Sequence, residues 1–111
     1  MGCIFCKIVN KEVPSTKVYE DDLVYAFDDI KPLAPVHVVV IPKEHYESLN
    51  DLKDQDVWFS MLKAAQEVAR IKGIDKTGYR TVVNCGKDGT QIIWHLHLHV
   101  LGGRLLDSNM G

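Results

Sequence analysis

Three histidines stand on alternate positions in IIWHLHLHVLGG, residues 92–103: His95, His97 and His99, with leucines between them. On an extended strand, side chains two apart share one face at a spacing of roughly 6.5–7 Å. Leu96, Leu98 and Val100 would then point into a core and the three imidazoles to the opposite side. A lone core histidine is ordinarily satisfied packing. Each neutral imidazole carries one donor and one acceptor, however, and a row of three needs partners for all of them. Two chemistries suit such a row. Histidines at i and i+2 can grip Zn²⁺ with a third ligand from elsewhere. Alternatively, imidazole titrates near ~6.5 and can serve as nucleophile, acid or charge stabiliser toward an anionic ester.

The preceding loop weighs toward the second chemistry. NCGKDGTQ, residues 84–91, carries Gly86 and Gly89, where backbone N–H groups can approach a phosphate closely. After His99 the only acid is Asp107, so the downstream carboxylate that many strand-borne histidine metal sites recruit is missing. The row therefore reads as phosphate chemistry, with His95, His97 and His99 as catalytic candidates. CIFC, residues 3–6, is a C-x-x-C. Alone it is compatible with redox chemistry, with half a zinc site, or with two small residues packing the N-terminal segment. A thioredoxin-like use wants a preceding strand, and only two residues precede Cys3. Cys85 has no candidate partner and reads as loop or core filler.

The elements that hold these residues follow from the apolar pattern. KVYE at 17–20 and LVYAFD at 23–28 are β-branched and aromatic, and Asp21-Asp22 between them suits a two-residue hairpin. Pro32 and Pro35 mark a loop. VHVVVIP at 36–42 is a continuous apolar run, the pattern of a strand buried on both faces. Asp54 can cap a helix running from about Gln55 to Lys72, and Gly73 can end it. Val57, Met61, Ala64, Ala65, Val68 and Ile71 repeat at helical spacing as one apolar stripe. Trp58, Phe59, Leu62 and Ala69 widen the stripe beyond what packing on a sheet requires, which points to a deeply covered helix or to a partner subunit. For a domain this small, a dimer is favoured. GYRTVVNC at 78–85, the glycine loop and the histidine strand complete a single α+β domain over residues 1–111, mostly antiparallel sheet with one long helix against a face.

Composition sets the outer limits. A chain of 111 residues, 46% apolar and 25% charged, has the make-up of one globular domain. Net charge is −2 and the 13 Lys and Arg are scattered, which gives no basic patch for a nucleic acid or an acidic membrane. VHVVVIP is far too short to span a bilayer. MGCIFCKIVNKEVP lacks the basic and apolar segments of a secretory signal. MGCIFC is superficially like an N-myristoylation start, but Cys6 stands where Ser or Thr is usual. Three cysteines, an odd number without a signal peptide, point to a reducing compartment and thus to the cytoplasm.

HLHLHVL fits the pattern His-φ-His-φ-His-φ-φ, φ apolar, and resembles the signature of the histidine-triad (HIT) superfamily. The segments CIFCKIVNKEVPSTKVYEDDLVYAFDDIKPLAPVHVVVIPKEH, GYRTVVNCGKDGTQ and HLHLHVLGGR are similar to its HINT branch over nearly the whole chain. The resemblance implies a five-stranded, mainly antiparallel sheet joined to its copy across a homodimer. It implies a purine-nucleotide site, of AMP or GMP type, in each subunit. It implies hydrolysis of purine nucleoside phosphoramidates through a covalent nucleotidyl-histidine, with no catalytic metal. By position His97 matches the nucleophile, His99 the residue that binds phosphate and assists proton movement, and His37 a histidine supporting the triad. Asp29 and Ile30 match a nucleotide-contacting pair, the carboxylate on ribose hydroxyls and Ile30 lining the base pocket. Asn84, Gly89, Thr90, Gln91 and Ile92 fall where the family contacts phosphate and sugar. Relatives with an N-terminal C-x-x-C imply a structural zinc held by Cys3, Cys6, His45 and His95. A regulatory purine-nucleotide-binding module with little turnover and a dinucleoside polyphosphate hydrolase are the alternatives; LGGR and the short chain speak against the latter. Two positions depart from the HINT pattern: Thr90 replaces a typical glycine, and Ile92 a serine whose hydroxyl usually contacts the phosphate or leaving group. The tail LLDSNMG also lacks the aromatic C-terminus of some relatives.

Overall fold

In the computed structural model, which describes residues 2–111, the hairpin expected around Asp21-Asp22 forms. Strands β1 (Lys17–Glu20) and β2 (Val24–Asp28) pair antiparallel. The Asp21 carboxylate accepts the backbone N–H groups of Leu23 and Val24, the local bonding by which aspartate makes turns. Leu23 is drawn into that turn, so β2 begins one residue later than the apolar run suggests. The sheet continues with β3 (Val36–Pro42), β4 (Tyr79–Val82) and β5 (Leu98–Gly102) in the order β1-β2-β3-β5-β4. Every neighbouring pair is antiparallel. The expected five-stranded α+β architecture is present.

Strand parity explains why β3 is apolar throughout. Val38 and Val40 enter one core with Val24, Ala26, Leu98 and Val100. Val39 and Ile41 enter a second core on the other face with Tyr25, Phe27, Phe5 and Ile8. The first core is covered by α2 (Gln55–Ile71), which is capped by Asp54 accepting from the Asp56 N–H and packs across β1, β2, β3 and β5. Its buried face is Val57, Met61, Ala64, Ala65, Val68 and Ala69. Removing Val57, Met61 and Val68 from water contributes roughly 1.5–3 kcal/mol each. Ile71, expected in the stripe, is 49% exposed, at the last residue of the helix before its Lys72 cap. Trp58, Phe59 and Leu62 also lie on the open side, so the broad apolar surface of α2 is not covered within one chain.

The second core is closed by a helix that the pattern did not announce, α1 (Ile4–Val9). Six residues are too few for helical periodicity to show. The Cys3 sulfur caps its N-terminus by accepting from the Cys6 N–H, and Phe5 and Ile8, one turn apart, supply the buried side. Short α1 covers only one end of its sheet face, and the remainder of that face is open. Among the described residues, no helix is long and apolar enough to cross a membrane.

Candidate active site

The open end of the α1 face is a cleft of about 680 Å³, and strand register decides what lines it. Across antiparallel strands, directly opposed residues share a face. Val39 lies opposite His99, His37 opposite Leu101, and Val82 opposite His99. Asp29 extends the β2 ladder by one bond, its N–H donating to the His37 carbonyl at 2.9 Å. All of these odd-face side chains except Val82, which register brings in from β4, follow one parity, and all line the cleft together with His97, Asn84, Thr90, Ile92 and Phe5. Regular pairing of the histidine segment begins only at Leu98; ahead of it the chain is irregular, yet Leu96 still packs in the α2 core. The alternation in HLHLH therefore holds while the three imidazoles enter three different surroundings.

Hydrogen-bond partners assign a tautomer to each ring. The Leu33 backbone N–H donates to His37 Nδ1 at 3.1 Å, so Nδ1 carries the lone pair and neutral His37 is protonated on Nε2. That Nε2–H donates to His99 Nδ1 at 2.9 Å, with Asp29 Oδ2 3.4 Å away. His99 is thereby left with its proton on Nε2. His97 Nδ1 lies 2.7 Å from the His95 carbonyl, which can only accept, so Nδ1 bears the proton and Nε2 keeps its lone pair. Among the described residues His97 Nε2 has no protein partner. Burial keeps His97 and His37 below the ordinary imidazole range, with Asp29 opposing in both. Burial, reinforced by His97 and His37, pushes His99 down to about 4. The cleft thus holds an unprotonated nitrogen on His97 and an N–H donor on His99 in neutral rings.

His95 does not reach the cleft. It is fully buried, its Nε2–H donates to the Pro42 carbonyl at 2.9 Å, and burial pushes it down to about 4. Its Nδ1 lone pair therefore faces Cys3 Sγ at 3.3 Å, Cys6 Sγ at 3.6 Å and His45 Nδ1 at 3.1 Å, while Cys6 Sγ is 3.3 Å from His45 Nδ1. Donors bound at zinc distances on a tetrahedron stand roughly 3.3–3.8 Å apart, so this Cys₂His₂ set is spaced for such an ion. Asp29, His37 and His99 form a second cluster with metal-ligand atoms close together. It fits a metal poorly: with Nδ1 of His37 accepting from Leu33, coordination through Nε2 would require stripping its only ring proton.

The other expected contacts divide. Asn84, Thr90 and Ile92 line the cleft, whereas Ile30, Gly89 and Gln91 do not. Ile30 is 91% exposed, beyond the turn that Asp29 Oδ1 closes on the Lys31 N–H. The Gln91 side chain is buried and spent within the protein: it accepts from Gly86 N–H and donates to the carbonyls of Glu47 and Ile93. Gly89 is required by the loop itself, since a Cβ there would fall 2.5 Å from the Cys85 carbonyl oxygen; that oxygen is what half-buried Cys85 contributes. The Asn84 side chain donates to the Gly89 carbonyl at 2.7 Å. Thr90 adopts φ 60°, the left-handed region where a β-branched residue is an outlier; that conformation explains why glycine suits this position. Sequence reasoning missed Phe5, Lys31, Leu33, Val39, Val82, Ile93 and Leu101. Parity from His37 finds Val39 and parity from His99 finds Leu101; the others depend on register and on the packing of α1.

Comparison with known proteins agrees with this geometry. The model of the HIT domain matches residues 10–106. The purine nucleoside phosphoramidase of Escherichia coli K12 is 42% identical over 105 residues, covering 93% of this chain and 88% of that protein. A histidine triad protein of Clostridium difficile superposes with a TM-score of 0.94 at 50% identity, over 98% of this chain and 96% of the other. A HIT family hydrolase of Legionella pneumophila Philadelphia 1 gives 0.94 at 42% identity, over 99% and 100%. With the domain model spanning most of the chain, relatives at 42–50% identity along nearly its whole length, and the fold in common with them, the chain belongs to the HIT family.

Proposed function

We propose that this protein hydrolyses purine nucleoside 5′-phosphoramidates, or closely related nucleotidyl conjugates, through a nucleotide bound covalently to His97. Membership of the HIT family makes it a nucleotide hydrolase; the finer reading is supported above all by His97, whose Nδ1–H is tied to the His95 carbonyl so that Nε2 keeps its lone pair. In the first step that lone pair attacks the α-phosphorus, the P–N bond breaks, and the amine leaves with a proton delivered from His99 Nε2. In the second, water takes the place of the amine, returns a proton to His99 Nε2, and releases the nucleotide and free His97. Splitting one displacement into two lowers each barrier. The His99 Nε2–H donates to a phosphoryl oxygen from a position fixed beforehand by His37, which spares reorganisation as charge develops. His37 holds the His99 tautomer, and Asp29 is placed to take ribose hydroxyls. The purine would lie toward the apolar lining that includes Phe5, Val39 and Ile93.

The Cys3, Cys6, His45 and His95 cluster would hold a structural Zn²⁺, which would pin α1 to the approach of β5 and supplies no catalytic step. The uncovered Trp58, Phe59 and Leu62 of α2 support a homodimer, since an apolar patch of this kind marks an association surface. Three free thiols suit the reducing cytoplasm, and the whole chain acts as a single domain. The test is hydrolysis of adenosine and guanosine phosphoramidates by wild type and His97→Ala, with AMP binding measured alongside. Wild type should release mononucleotide; the variant should bind AMP and release none. Retained turnover in the variant would refute the nucleophile assignment.

A further inference from the structure

The Cys₂His₂ cluster touches the cleft by two routes. One is covalent: His95 supplies a cluster nitrogen through its ring, and through its carbonyl it accepts the Nδ1–H of His97 at 2.7 Å. The other runs through α1. Phe5 sits between the two cysteines, stacks edge-on against His97 at 5.1 Å and His95 at 5.7 Å between ring centroids, and lines the cleft. Cys3 and Cys6 flank it, half-buried rather than sealed, with all four ligand atoms of the cluster within 4.8 Å of one another.

We propose that the Cys3–Cys6 pair is an oxidisable latch on the cleft, closed while a metal joins both sulfurs to His45 and His95 and opened when a peroxide couples the sulfurs to each other. The reaction balances with hydrogen peroxide as oxidant. The two thiolates give up one electron pair, the S–S bond forms, the O–O bond breaks, and two solvent protons complete two waters. A disulfide leaves only two nitrogens to hold the ion, too few for a closed site, and the ion departs. One consequence follows at the cleft. The tie from α1 to His95 is lost, freeing Phe5 to leave the edge of His97.

The latch rests on the nucleotide reading only for one of its readouts. Zn²⁺-loaded protein is treated with one equivalent of hydrogen peroxide. A Cys3–Cys6 disulfide by peptide mass mapping, one Zn²⁺ per chain released to a chromogenic chelator, and altered imidazole signals of ¹⁵N-labelled His97 are expected. The AMP Kd should rise roughly 3–10-fold, the worth of the aromatic edge contacts. Dithiothreitol with Zn²⁺ should restore all four. Cys85→Ser should respond like wild type, and a Cys3→Ser, Cys6→Ser double variant should not respond to peroxide. Zn²⁺ retained after the thiols are oxidised, or released with the His97 signals unmoved, would overturn the latch. Reduced protein that binds no AMP would instead count against the nucleotide reading, with the His97 signals still deciding the latch.

Discussion

Thr90→Gly should stabilise this protein, although it deletes a side chain and its hydrogen bond. Thr90 holds φ 60°, where the Cβ of an L-residue crowds the following carbonyl at a cost of roughly 1–2 kcal/mol. Two losses oppose the relief. Glycine gives the unfolded chain more freedom, which costs about 0.5–1 kcal/mol. The exposed bond from Thr90 Oγ1 to the Gly89 carbonyl is worth no more than ~0.5 kcal/mol. The upper half of the strain range outweighs both, since Thr90 is β-branched, and a net gain of about 0.5 kcal/mol follows, or roughly +2 to +3 °C in Tm for a domain of this size. Thermal and urea unfolding of wild type, Thr90→Gly, Thr90→Ala and Thr90→Val separate the contributions. Valine keeps the branched Cβ and loses only the hydroxyl, so it should fall slightly below wild type, and alanine should lie between valine and glycine. A glycine variant less stable than the valine variant would refute the strain argument, and would mean that the hydroxyl bond holds the loop.

The neighbouring Gly89→Ala should act in the opposite sense: its new Cβ would meet the Cys85 backbone oxygen at 2.5 Å and nitrogen at 2.9 Å, and overpacking of this kind costs ~1–3 kcal/mol, read by urea midpoint together with a weakened AMP affinity. Acid should destabilise the fold through its histidines. Burial holds His99 at about 4 in the native state against ~6.5 when unfolded, so the unfolded chain takes up the proton first; the contribution to stability, complete above the unfolded value, is lost as pH falls through that window. Urea titrations at stepped pH should show the midpoint falling across that window, less so in His99→Asn, and a flat midpoint would contradict the assignment. Removing metal should also destabilise: an ion at one hundred times its Kd adds ~2.7 kcal/mol, so a strong chelator should lower Tm by about 10 °C, and should leave the Tm of Cys3→Ser nearly unchanged.

Much of the fold was legible because each signal was local. The Asp21 turn, the Asp54 cap and the Gly73 stop depend on residues within a few positions of their effect. The unbroken run at Val36–Pro42 announced burial on both faces, and two cores meet there. The alternation of His95, His97 and His99 fixed that all three turn away from the α2 core, because parity survives even where regular pairing stops short. What the sequence could not settle was where along that face each ring would lie. That depends on the register of β3 with β5, which brings the His37 ring against His99, and on α1, too short to show a period, which covers His95, sets Phe5 against the edge of His97 and leaves the His99 end open. The tautomers are further still from sequence. The lone pair on His97 Nε2 exists because a carbonyl two residues earlier faces Nδ1, and the proton on His99 Nε2 because the Leu33 N–H reaches His37. Composition and spacing chose imidazoles for this face; only the tertiary structure, by bringing backbone donors and acceptors against particular ring nitrogens, decided which of them are free to react.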